Sequence, residues 1–244
     1  MDGTVMVYPL LLILLIAHCR AQYKDLPGCN KDGLEACGTD FVLFANTTRL
    51  AEDGDKVKER CKLHLEQLEC ADEFCSRCLL GFSRAVALVG LRSAYDFFEE
   101  LCTESSELHR EYLRVVGCLN KAGPEIHRHM VDARLKLYTI ARTVPVKQKM
   151  NYACCTYYDF RKMTSDAIDS LCPDHKARYF HEALLDRSFG ELLGLACGKY
   201  TQGSTACKEL GKVVPLEGLK PEDAGSFVGP MIDIIHSLTQ RSAR

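Results

Sequence analysis

Net charge is the first thing this sequence lacks. Its 31 Lys and Arg face 33 Asp and Glu, leaving -2. No basic field exists of the kind that holds nucleic acid or an anionic membrane surface. Tryptophan is absent. Alternating strand patterns are scarce. Phe41–Ala45 and Val213-Val214 are the candidates, both short, and no nucleotide-binding βαβ unit can be assembled from them. Apolar runs long enough to cross a bilayer are missing too: Val5–Ala17 falls short of the about 20 residues a spanning helix needs. The final stretch, Leu238–Arg244, lacks the hydrophobic tail of a lipid-anchored protein. With 47% hydrophobic and 26% charged residues, the composition is still that of a globular chain.

What Val5–Ala17 does fit is the apolar core of a secretory signal peptide. Asp2 is the only charge ahead of it, and Cys19-Arg20-Ala21 supplies the small residue wanted at a cut. Residues 1–21 are therefore expected to be removed before Gln22, and the mature protein to be secreted. Asn46-Thr47-Thr48 then becomes a glycosylation acceptor at Asn46.

Export decides how the cysteines are read. Cleavage removes Cys19 and leaves Cys29, Cys37, Cys61, Cys70, Cys75, Cys78, Cys102, Cys118, Cys154, Cys155, Cys172, Cys197 and Cys207. In an oxidising compartment their default is disulfides. Thirteen is odd, so at most six intrachain bridges form, and one thiol is free or bonded to another chain. Adjacent Cys154 and Cys155 point in different directions on a helix and are expected to find separate partners.

The rest reads as helix after helix. Val57, Cys61, Leu65 and Leu68 recur at helical spacing, as do Leu108, Tyr112, Val115 and Leu119. Ser93-Ala-Tyr-Asp96 has the form of a capping box ahead of Phe97, Phe98 and Leu101. Gly123-Pro124 is expected to stop one helix and start the next, whose stripe is Ile126, Met130, Ala133, Leu137, Ile140 and Val144. Met150, Tyr157, Phe160 and Ile168 continue the pattern to Cys172-Pro173. Phe180 and Leu184 follow, with Ser188-Phe-Gly-Glu191 as a second box. The expected fold is mainly α, a disulfide-stapled helical bundle in one body or two halves (22–122 and 123–198). A loop-rich segment, 199–226, holds Cys207, and an amphipathic helix in 227–244 presents Met231, Ile234, Ile235 and Leu238.

Chemistry was sought at each motif with catalytic spacing. Cys75-Ser-Arg-Cys78 has the spacing of a redox pair but lies inside a helical run, not at the strand-to-helix start that activates a thiol. No second ligand pair completes a zinc site. Gly81-Phe-Ser83-Arg-Ala85 lacks the second glycine of a nucleophile elbow. His181-Glu182 begins like a zinc-protease helix, but the required second His is Leu185. His127 and His129 fall on different helix faces, and Cys172 with His175 has no matching pair. Cys154-Cys155-Thr-Tyr-Tyr158-Asp159 is similar to the Cys-Cys-x-x-His-Asp signature of secreted phospholipases A2. Tyr158 stands where the His should be, however, and a phenol is a poor base at neutral pH. His109, Glu111 and His181 remain as scattered acids and bases. No catalytic, metal or cofactor residue is assigned.

The order of cysteines and helices resembles the cysteine-rich secreted proteins of arthropods related to the haemolymph glycoproteins. The matching features are Cys61-x8-Cys70, Cys78-Leu-Leu, Phe97-Phe-Glu-Glu-Leu-Cys102, Tyr112-Leu-x4-Cys118-Leu, Cys154-Cys155-x4-Phe160, Leu171-Cys172 and Cys197. The resemblance implies a cysteine where this chain has Met163, leaving Cys154 or Cys155 as the odd thiol. It brings no activity with it. The leading expectation is a secreted binding protein whose ligand is another protein or a small apolar molecule held between helices. The alternatives are a disulfide-linked homodimeric signalling or structural subunit, in the manner of stanniocalcin, and an enzyme with an unfamiliar site.

Overall fold

The computed structural model describes residues 26–239, so the signal peptide expected in 1–21 and the end of the helix expected in 227–244 lie outside the described residues. Among the described residues eight helices follow one another: α1 Lys31–Glu35, α2 Gly54–Cys78, α3 Gly81–Cys102, α4 Glu107–Thr143, α5 Val146–Leu171, α6 Lys176–Cys197, α7 Thr205–Leu210 and α8 Val228–Thr239. A single 3-10 turn, Pro221–Ala224, precedes α8. There is no strand among the described residues, and Phe41–Ala45 and Val213-Val214 are irregular instead. Phe41, Leu43 and Phe44 pack into the helical core, where Phe44 is among the most buried residues, whereas Val214 is exposed.

Helix starts follow side-chain chemistry. Asn30, Asp53, Ser106 and Ser204 each accept a hydrogen bond from the backbone N–H three residues on, satisfying a donor that has no partner within the helix. The Ser93–Asp96 box caps nothing; it lies well inside α3, as Ser188–Glu191 lies inside α6. A local capping pattern competes with continuing apolar spacing on both sides, and the spacing prevails.

The larger correction is at Gly123-Pro124, where α4 runs straight through. Pro124 has no N–H to give the Asn120 carbonyl, and an interior proline ordinarily costs a helix about 3 kcal/mol. Part of that cost is a clash with the Cβ of the residue before it, and Gly123 has none. Burial offsets the remainder, since Ala122, Gly123 and Ile126 all face the core. The division between residues 122 and 123 therefore falls inside one helix.

α4 is the axis of the bundle. It packs along α5 most extensively, α2 lies along α3, and α6 bridges α5 and α3. The main core gathers Leu68, Phe97, Phe98, Val116, Leu119, Ile126 and Ile168 from four of these helices. α8 closes the far side against α3, α4 and α5, burying Ile232 and Ile234. Segment 199–226 is not simply loop, because α7 and the 3-10 turn interrupt it.

Six bridges staple this arrangement: Cys29–Cys78, Cys37–Cys70, Cys61–Cys102, Cys118–Cys172, Cys154–Cys197 and Cys155–Cys207. Cys154 and Cys155 do take separate partners. The odd thiol is neither of them: it is Cys75, buried on α2. Met163 lies on α5, outside the cluster of Cys29, Leu34, Cys37, Phe74, Cys78 and Leu79 that encloses Cys75. Three bridges lie wholly within residues 29–102 and three within 118–207, and none crosses from one set to the other.

Candidate functional site

Residues 39–53 contain no helix and no strand, yet they are fixed at every step. Cys37–Cys70 anchors the approach. The backbone N–H of Asp40 donates to Gln67 Oε1 at 2.8 Å, and Gln67 Nε2 donates back to the Asp40 carboxylate at 2.7 Å. Further along, Asn120 holds Leu50 as a neighbouring strand would. Its Oδ1 accepts from Leu50 N at 2.7 Å, and its Nδ2 donates to Leu50 O at 2.9 Å and to Glu52 at 2.7 Å. Tyr112 donates its hydroxyl to Ala51 O.

Phe44, in the middle, takes a left-handed φ of 63°, a costly backbone state for a bulky side chain. The surroundings impose it: its ring is 2% exposed, and its carbonyl accepts from His127 Nδ1 at 2.8 Å.

Between this strap and the helices lies a cavity of about 200 Å³. One face of α2 supplies Val57, Arg60, Cys61 and His64; α3 supplies Phe98 and Leu101, and α4 supplies Tyr112. Asp40, Leu43 and Arg49 line it from the strap, with Asn46, the expected glycosylation residue, exposed there. His64 is 8% exposed and packs its ring on Phe98 at 4.8 Å. Its Nδ1 is enclosed with no hydrogen-bond partner.

The residues singled out for catalytic spacing do not assemble. His109 donates from Nδ1 to Leu101 O at 2.9 Å, while Glu111 is exposed. Buried His181 is 2.9 Å from the hydroxyl of Thr164, which itself donates to the Phe160 and Arg161 carbonyls. His129 accepts from Arg128, and His175 pairs with Asp169. Ser83 is buried inside α3. Cys78 is bonded to Cys29, so no Cys75–Cys78 redox pair exists. Among the described residues, no three His, Cys, Asp or Glu side chains are grouped to hold a metal ion.

Burial first, and then Asp72, push the Cys75 thiol up to about 12. At pH 8 it is almost wholly protonated and enclosed, which makes it inert. We expect iodoacetamide to leave the native protein unmodified and to add one label after denaturation without reductant. Labelling of the native chain would mean that Cys75 is reachable.

His64 and His181 are both pulled from 6.5 to about 4, chiefly by burial, with Arg60 and Arg161 adding to it against Asp40 and Glu182. The unfolded chain binds these protons near pH 6.5 and the folded chain only near 4. Stability is therefore full above about pH 6.5 and falls as the pH drops toward 4, by about 3 kcal/mol for each histidine. Urea midpoints from pH 7 to 4.5 should fall, and His181→Gln should flatten the fall. A flat wild-type profile would contradict neutral burial of both rings.

Sequence reasoning missed the parts that build the cavity: Asp40, Arg60, His64, Gln67 and Asn120. His64 is one turn beyond Arg60 and seven residues beyond Val57, so it lies on the stripe that carries Val57, Cys61, Leu65 and Leu68. A polar residue on an apolar stripe was the available signal. No family model, no curated protein and no solved structure matches this chain.

Proposed function

We propose that this protein is secreted, glycosylated at Asn46, and works by binding rather than by catalysis. The observation that carries the reading is a ready-made open cavity under a strap that one bridge and several hydrogen bonds hold in place. A disulfide framework of this density belongs to oxidising compartments. Rigid walls serve binding, because a site already in its bound shape loses little conformational entropy when filled. The scattered histidines support the non-catalytic side, since His109, His127 and His181 are spent on structural contacts.

Of the two ligand classes, the small molecule is favoured over a protein partner, because the cavity is a concave site and not a flat face. The family proposed for the chain remains the arthropod haemolymph glycoprotein relatives, on the cysteine pattern. A homodimer linked through the odd cysteine is disfavoured, since Cys75 is 1% exposed and would have to leave the core to reach another chain.

The test is native mass spectrometry of the protein secreted from eukaryotic cells, before and after denaturation, with and without reductant. The expected result is a glycosylated monomer whose extra mass beyond the glycan leaves on unfolding, and an Asn46→Gln variant without the glycan. A protein bare in every preparation, or retained in the cell, would overturn the reading.

A further inference from the structure

We infer that the cavity beneath the strap takes a small monocarboxylate whose apolar body is about the size of one ring. The inference rests on the binding role proposed above and names the ligand class. Size comes first. A cavity of about 200 Å³ slightly exceeds the roughly 150 Å³ that accommodates a benzene molecule, which leaves room for one small head group and excludes long-chain lipids.

The head group follows from which hydrogen-bonding capacity is left over. At the cavity, Asp40 gives one of its two carboxylate oxygens to the Gln67 amide. The Tyr112 hydroxyl is committed to Ala51 O, and Arg49 is paired with Glu52 at 2.7 Å. Two groups remain. Arg60 lines the cavity and has no ion pair among the described residues. His64 has an enclosed Nδ1 without a partner. Because an orphaned buried N–H is rarer than an orphaned acceptor, we place the ring proton on Nε2. Burial keeps that ring neutral despite Asp40 nearby.

The unspent donors are thus a guanidinium and an imidazole N–H, one helical turn apart on α2. A carboxylate satisfies both, the stronger bond being the charge-assisted one to Arg60. Val57, Phe98 and Leu101 are left to cover an apolar body. An ammonium head would meet the Arg60 guanidinium head-on.

The experiment uses the full secreted protein, delipidated under conditions that keep its bridges. It is titrated at pH 7 with benzoate, benzyl alcohol and benzylamine, followed by calorimetry and by the ring proton signals of His64 in NMR spectra. Benzoate should bind at least tenfold more tightly than either of the others and move the His64 signals. Arg60→Gln, a change at an exposed position, should weaken benzoate tenfold or more and leave benzyl alcohol unchanged. Equal binding of the three, preference for the amine, binding that leaves His64 unmoved, or an Arg60→Gln variant with unaltered benzoate affinity would each overturn the assignment. If the native mass measurement finds a different passenger while benzoate does not bind, the carboxylate assignment falls and the binding role stands. If neither is found, both fall.

Discussion

Gly123→Ala is expected to destabilise the protein by about 3 kcal/mol, and Gly117→Ala, six residues earlier on the same exposed-and-buried helix, to stabilise it by about 1 kcal/mol. Helix propensity alone gives both substitutions the same favourable sign. Their surroundings separate them. A Cβ on Gly117 meets nothing within 4 Å, whereas one on Gly123 would lie 2.0 Å from the Thr48 carbonyl oxygen and 3.1 Å from the Phe44 ring. Thr48 O belongs to the backbone, so it cannot swing aside as a long side chain would. To yield, the strap would have to rise, and Asn120 holds it on the same turn of α4. The added Cβ would also press on Pro124, restoring the conflict that glycine avoids. For a chain of this size each kcal/mol moves the melting midpoint about 2–4 °C. Thermal unfolding followed by circular dichroism should therefore show a fall of roughly 6–12 °C for Gly123→Ala and a small rise for Gly117→Ala. If both midpoints rise, the close approach of strap and helix is wrong.

Removing the Cys61–Cys102 bridge by the double change to Ala should lower stability by about 4 kcal/mol on the chain-entropy relation for a loop of this length. Cys155–Cys207 closes a longer loop, 52 residues against 41, so loop entropy alone would rank it slightly higher. Position reverses that order. Cys61 sits in the main core and joins the middle of α2 to the end of α3 under the cavity. Cys207 lies on α7, a helix with no buried residue, tied down otherwise by the Tyr152 hydroxyl on Leu210 O at 2.7 Å. Its release frees a surface segment and leaves the bundle packed. The expected outcome is a lower global midpoint for Cys61→Ala/Cys102→Ala. For Cys155→Ala/Cys207→Ala we expect a nearly unchanged midpoint but rapid protease cleavage within 199–213. Equal losses of global stability would show that segment 199–226 belongs to the cooperative core.

The helices were legible because their apolar residues recur at intervals of three and four. The stripe Leu108, Tyr112, Val115 and Leu119 is buried as its spacing predicts. The failures have physical causes. Gly123-Pro124 reads as a stop only if the preceding residue carries a side chain that conflicts with the proline ring, and this one does not. Cys75 was passed over because parity identifies that a thiol is left over and not which one. Yet Leu68, Ala71, Cys75 and Cys78 extend one buried line along α2, so Cys75 behaves as a small apolar residue there. The bridges join residues 33 to 54 positions apart, and such partners leave no local pattern. The cavity was illegible for the same reason: its walls come from a strap without periodicity laid across three helices, and Asn120 acts at a distance of 70 residues.

The partition of the bridges has a consequence for how the chain finds its oxidised form. The six cysteines of residues 118–207 could pair in about fifteen ways and the seven of residues 29–102, Cys75 included, in about a hundred, while all of them together have many thousands of combinations. Residues 29–102 complete their three bridges without needing any sulfur beyond Cys102, so they can finish before the second set has been synthesised. A chain that emerges from its N-terminal end first therefore meets two small sorting problems in succession. The buried, protonated Cys75, once packed inside the first unit, is withdrawn from the second.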